Sequence, residues 1–188
     1  MRFITGIFLA VLVPSIAQAT VVRAVSVAEM TKRADVIVEA QVEALTSAWN
    51  PERTRIYTVT RLKVSDSIKG AVTKGNVIKI RQIGGTADGI TQMVAGNAKF
   101  AAGDRVIVFL NRSETENMHF VIGMAQGKFA ISQQNGRLLI DRQMDGLKRV
   151  PTVAGQDRLA DLPNVQKPGQ TVLEFKARIR TMLNAPAP

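Results

Sequence analysis

Between Ala34 and Gly85 apolar and polar positions alternate. In the run ADVIVEAQVEALTSAW, Val36, Val38, Ala40, Val42 and Ala44 fall on one side, and Asp35, Ile37, Glu39, Gln41 and Glu43 on the other. A period of two lays one set on a core and leaves the other in water, which predicts a half-buried strand. Asn50-Pro51-Glu52 ends it, because Pro51 has no N–H to give to a ladder. A second run, Ile56 to Val64, is rich in β-branched residues and sets Thr58, Thr60, Leu62 and Val64 opposite Arg61 and Lys63. Lys69-Gly70 closes it. Gly75-Asn76 opens a third run, where Ile78 and Ile80 alternate with Lys79 and Arg81 until Gly84-Gly85. Three adjacent strands with short polar connections predict an antiparallel meander. Long, twisted strands of this kind curl into a small barrel.

The flanking patterns add to this frame. Ser26 followed by Glu29 has the spacing of a capping box and predicts a short helix to about Arg33, burying Val27 and Met30. Thr86 to Phe100 is rich in Gly and Ala, with turn signals at Asp88-Gly89 and Gly96-Asn97, and reads as a long loop or weak hairpin. Arg105 to Leu110 is almost continuously apolar, as a strand covered on both faces would be, and is expected to be central. Phe120 to Met124 and Phe129 to Ile131 flank Gln126-Gly127 and are expected to pair with each other. Asn135-Gly136 carries a hairpin signal before Leu138 to Ile140. From Asp141 to Gly169, with Pro151, Pro163 and Pro168, no period is visible. A second capping box, Thr171 to Glu174, opens a helix with Val172, Phe175, Ile179 and Met182 on one face. That helix either docks on the barrel or, with Lys176, Arg178 and Arg180, lies on a membrane surface.

The expected fold is mainly β: a small OB-like antiparallel barrel or curled sheet, with a short N-terminal helix and a C-terminal helix. The expected organisation is a signal peptide at 1–19, a β-barrel domain at 20–141, an irregular wrap or linker at 142–169, and a C-terminal helix and tail at 170–188.

Composition changes the picture in two ways. Met1-Arg2, the apolar run Ile4 to Val13 and the small residues Ala17-Gln18-Ala19 have the layout of a secretory signal peptide cleaved near Ala19. About ten apolar residues are too few to span a bilayer, which needs roughly 20. A periplasmic or secreted protein without a transmembrane segment follows. The chain has no cysteine, so no disulfide supports it in that compartment. Its formal net charge is +10, and removing the leader takes away only Arg2. An exported basic protein meets anionic envelope polymers, lipid head groups or acidic proteins rather than genomic nucleic acid. Scattered charge also serves plain solubility.

No catalytic signature is present. Cysteine nucleophiles are excluded, and the single histidine, His119, cannot build a zinc site without other strong ligands. No nucleophile-elbow, phosphate-loop or dinucleotide fingerprint occurs. Glu39 and Glu43 lie about 13 Å apart along an extended strand, too far for paired-carboxylate glycosidase chemistry at roughly 5–9.5 Å. No catalytic residue, metal or cofactor is expected. Nucleic-acid binding by a small barrel requires stacking platforms. Four of the five phenylalanines after the leader fall in or beside apolar runs, which leaves only Trp49 and Tyr57 beside Arg53 and Arg55.

The order of "RADVIVEAQV", "RIYTVTRLKVSDSIKG", "GNVIKIRQIGG", "GDRVIVFL" and "GMAQGKF" resembles a group of exported bacterial proteins of unknown function. Their layout is similar to the netrin-like module, the OB-type barrel of the tissue inhibitors of metalloproteinases. The resemblance implies a barrel from about Val27 to Ile131. It transfers no inhibitory residue, because those inhibitors present an N-terminal cysteine and carry disulfides, and this chain has neither. The expected function is that of an exported, non-enzymatic module that binds another exported protein, a protease being one class. Expected contacts are Trp49, Arg53, Arg55, Tyr57 and Met93, on the loops Ser47 to Arg55 and Thr86 to Lys99. The alternatives are a basic adhesion module for anionic envelope surfaces, a protease-inhibitor-like protein, and an unrecognised hydrolase.

Overall fold

A computed structural model describes residues 21–142, 148–150 and 169–185. The expected signal peptide at 1–19 and most of the expected linker lie outside the described residues. The elements run β1 (Val21–Arg23), α1 (Val27–Arg33), β2 (Val36–Trp49), β3 (Ile56–Lys69), β4 (Val77–Ile83), β5 (Gly85–Ala87) and β6 (Ile90–Gln92). They continue β7 (Arg105–Arg112), β8 (His119–Val121), a 3-10 turn at Met124–Gly127, β9 (Lys128–Gln134), β10 (Arg137–Asp141), β11 (Lys148–Val150) and α2 (Val172–Asn184).

The meander forms as the alternation predicts: β2 pairs β3 and β3 pairs β4, both antiparallel. β7 then pairs the other edge of β2, and β8 pairs both β7 and β4, the latter in parallel at Ile80 and His119. The order β7-β2-β3-β4-β8 returning to β7 is a closed five-stranded OB-like barrel. Closure leaves no free edge among these strands where they pair around the ring. β9 and β10 extend the sheet outward from β7. Phe120–Met124 and Phe129–Ile131 therefore do not pair with each other as expected. The 3-10 turn separates them, and each segment's strand pairs with β7. Asn135 and Gly136, both at positive φ, make the β9–β10 turn. β1 and β11 form a separate parallel pair.

Two apolar cores share the sheet. Inside the barrel sit Val36, Val38, Ala40, Val42, Leu62, Val64, Ile78, Ile80, Val106, Val108 and Leu110. Outside it, Ile37, Ile107, Phe109 and Phe129 meet Met30 of α1 and Phe175 and Ile179 of α2. Phe129 lies 4.7 Å from Phe175 and 5.6 Å from Phe109 between ring centroids. β7 thus buries both faces, as its unbroken apolar run predicts.

Two positions on β2 differ from the simple alternation. Ile37 and Glu39, expected on the wet face, are buried there because the helices cover that end of the strand. A register shift between Val42 and Ala44 then inverts the phase: Val42 opposes inward-facing Leu62, but Ala44 opposes outward-facing Arg61. Beyond this bulge Leu45, opposite buried Thr60, points in and Ala44 points out. The helices are set by their caps. Ser26 accepts the Glu29 N–H at the start of α1, and Thr171 and Glu174 form a reciprocal box at the start of α2.

Candidate functional site

β2 pairs with β7 only as far as Gln41, yet it stays with β3 to Trp49 opposite Ile56. A ribbon of β2 and β3, flanked by β4 as far as Ile83 opposite Tyr57, therefore projects from one end of the barrel. Asn50 ties its tip, its side-chain oxygen accepting the Thr54 and Arg55 N–H groups at 2.8 Å each. The hairpin β5–β6 folds onto the inward face of this ribbon. Gly85 is required there: it sits at φ +132°, and a Cβ would collide with the hydroxyls of Ser47 and Thr58. Those hydroxyls are 2.8 Å apart, and Thr58 is also 2.6 Å from the Gly84 carbonyl as donor. Gln92 accepts the Ile56 N–H at 2.8 Å, and Arg53 pairs with Asp88 at 2.7 Å. The two loops named from the sequence are thus locked together at one barrel end.

Between the hairpin and the ribbon lies a groove of about 730 Å³ whose lining includes Leu45, Thr58, Ile83, Met93, Val94 and Phe100. A second depression of about 360 Å³ includes Tyr57, Arg81, Phe120 and Met124. The two share Gln82, Ile83, Val94 and Asn97 and are contiguous. Met93 and Ile90 stand 86% and 54% exposed at this end, an unusual placement for large apolar side chains.

The sequence-named residues divide around this end. Met93 lines the larger groove and Tyr57 the smaller. Trp49 is half-buried, its indole N–H enclosed without a partner among the described residues and its ring capped by the Arg53 guanidinium at 5.6 Å. Arg55 is exposed. Trp49, Arg53 and Arg55 line neither depression. Leu45, Ile83, Ile90, Arg81 and Phe120 are further surface residues that sequence reasoning did not name. Arg81 lies 4.9 Å from the Tyr57 ring and 5.7 Å from Phe120, and pairs with Glu116 at 2.7 Å. The outward alternation of β4 marks Arg81 and Ile83, but only the register with β3 brings them to Tyr57.

The ionisable groups serve the scaffold. Glu39 meets Arg105 at 3.0 Å and Lys176 at 2.8 Å, while Glu43 meets Arg61 at 3.5 Å. His119 is buried on β8 with Nδ1 3.3 Å from the Lys79 carbonyl, and Nε2 has no partner among the described residues. Burial pushes its pKa below the ordinary value; the Lys79 carbonyl opposes this, Arg112 reinforces it and Asp35 opposes it. Among the described residues no three His, Cys, Asp or Glu side chains cluster to hold a metal. No described helix is long and apolar enough to cross a membrane. No family model and no curated protein matches this chain.

Proposed function

We propose that this protein is an exported, non-enzymatic binding module that holds an apolar segment of another exported protein in the barrel-end groove. The observation that carries the reading is Met93, projecting beside a groove whose shape Gly85 fixes from beneath. Loops on a rigid barrel supply shape while the barrel supplies stability. Methionine adapts to irregular apolar partners at little cost. The Arg53–Asp88 pair and the amides of Gln82, Gln92 and Asn97 give the apolar centre a polar rim, the common anatomy of an interface. A netrin-like barrel used for protein recognition fits this arrangement, without the cysteine-led terminus of the metalloproteinase inhibitors. The absence of enzymatic activity is part of the proposal. It draws on the engagement of Glu39, Glu43, Asp66, Asp88, Asp104 and Glu116 in ion pairs with Lys or Arg.

The test is capture from an exported fraction by the wild-type protein and by Met93→Asp, at roughly 0.1 M and 1 M salt, where the Debye length falls from about 10 to 3 Å. One specific band, retained at high salt and lost with Met93→Asp, is the expected result. Capture that vanishes with salt and ignores Met93 overturns the groove as the site. Robust turnover in a broad hydrolase screen, abolished by replacing one Asp or Glu, overturns the non-enzymatic reading.

A further inference from the structure

The outer face of β3 and β4 carries a different feature. Arg61 stands directly opposite Lys79, Lys63 opposite Val77, and Val59 opposite Arg81. Thr60, Leu62, Ile78 and Ile80, which alternate with these residues, are buried in the barrel, so this set projects outward. Like charges directly across a strand pair destabilise it, and stability alone gives no reason for the Arg61–Lys79 placement. Arg61 and Arg81 each have one acidic neighbour, Glu43 and Glu116. Lys63 and Lys79 are exposed and have no ion pair or side-chain hydrogen bond among the described residues. Beside them β2 presents Gln41 opposite Lys63 and Glu43 against Arg61, and beyond these Ala44, Thr46 and Ala48 opposite Arg61, Val59 and Tyr57, so the basic side chains border a strip of small residues. Both helices cover the outer surface over Ile37, Ile107, Phe109 and Phe129 rather than this face, where Val77 and Ile83 are 42% and 37% exposed.

We propose that this face binds a linear anionic polysaccharide bearing carboxylates or sulfates at a regular repeat. Outward cations two residues apart on a strand are separated by roughly 6.6 Å, and those on neighbouring strands by about 5 Å. Such a lattice matches an extended chain of fixed anions and exceeds what one compact anion can engage. A single-stranded nucleic acid would use the same cations but needs free ring faces for its bases. Here Tyr57 and Phe120 both lie against the Arg81 guanidinium. The face adjoins the groove at Ile83 and the smaller depression at Arg81, but Lys63 and Lys79 line neither.

The experiment measures binding of the wild-type protein to polygalacturonate, with neutral dextran, oligothymidylate and phosphatidylglycerol vesicles as separate arms. Two double variants remove equal charge: Lys63→Gln/Lys79→Gln on the face, and Lys32→Gln/Arg137→Gln on α1 and β10. Both should melt with the wild type. The expected result is salt-sensitive polygalacturonate binding, weakened about tenfold or more by the face variant and little changed by the other. Equal loss in the two variants reduces the effect to net charge and overturns the site. Face-dependent binding that is tighter to oligothymidylate or to the vesicles overturns the polysaccharide assignment, as does absence of polygalacturonate binding at low salt.

Discussion

Lys176 Nζ lies 2.8 Å from Glu39 Oε2, and the two side chains are only 13% and 9% exposed. The contact joins the C-terminal helix to the first long barrel strand across 137 residues of sequence. Asp66 of β3 also pairs with Lys176 and meets Arg180 at 3.1 Å. Burial alone pushes the Lys176 ammonium down, but hydrogen bonds to Asp66 and Glu39 outweigh it and hold the pKa above that of an ordinary lysine. The ion cluster therefore latches α2 to the barrel beside the aromatic contact of Phe175.

Lys176→Met tests the latch. It keeps the aliphatic stem and removes the cation between two carboxylates, leaving Glu39 with Arg105 alone. Removing one member of a buried pair costs about 3 kcal/mol. Chemical denaturation should show that loss, with Glu39→Gln/Lys176→Met recovering part of it. A single variant as stable as the wild type rules the latch out.

Gly85→Ala tests how the groove is held. The added methyl meets two hydroxyls and must also tolerate φ +132°. A non-glycine residue forced there costs about 1–3 kcal/mol. Relief comes by lifting β5–β6 off the ribbon, so amide exchange should accelerate at Ile56, whose N–H is held by Gln92. Partner capture through Met93 should fall with it. Unchanged protection at Ile56 would show that the hairpin is not seated by Gly85.

These contacts explain what was legible in the chain. The strands of the meander follow from a local period of two, and α2 from a cap and four apolar positions, so both could be read directly. Glu39 looked wet because its cover, Lys176, arrives from the far end of the sequence. The bulge after Val42 was hidden because alternation through Ala44 looks regular until β3 supplies the register. β8 is three residues long, and its parallel place beside β4 depends on barrel closure rather than on its own pattern. Of the candidate site, the two loops and Met93 were visible as turn chemistry and an isolated apolar residue. Their joining through Arg53 and Asp88 was not, since nothing local relates residues 35 apart.

His119 gives the fold an acid-sensitive point. Its Nδ1 faces the Lys79 carbonyl while Nε2 is enclosed with no acceptor for a second proton among the described residues. Arg112 on β7 further disfavours the charged ring, and Asp35 before β2 only partly offsets it. The folded-state pKa therefore lies below the ordinary value of about 6.5, and the unfolded chain binds a proton first as pH falls. This contribution to stability is fully present above the ordinary histidine pKa. It is lost progressively as pH drops from there toward the lower folded value. Asp66 behaves separately: burial raises its pKa, but Lys176 and Arg180 outweigh that and lower it, so its stability is lost only in stronger acid, below about 3.9. Thermal melts from pH 8 to pH 5 should thus show the wild type falling below about pH 6.5, while His119→Gln, which can still donate to the Lys79 carbonyl, stays flatter across that window. Parallel curves for the two proteins would assign the acid limb to other groups and remove His119 from the account.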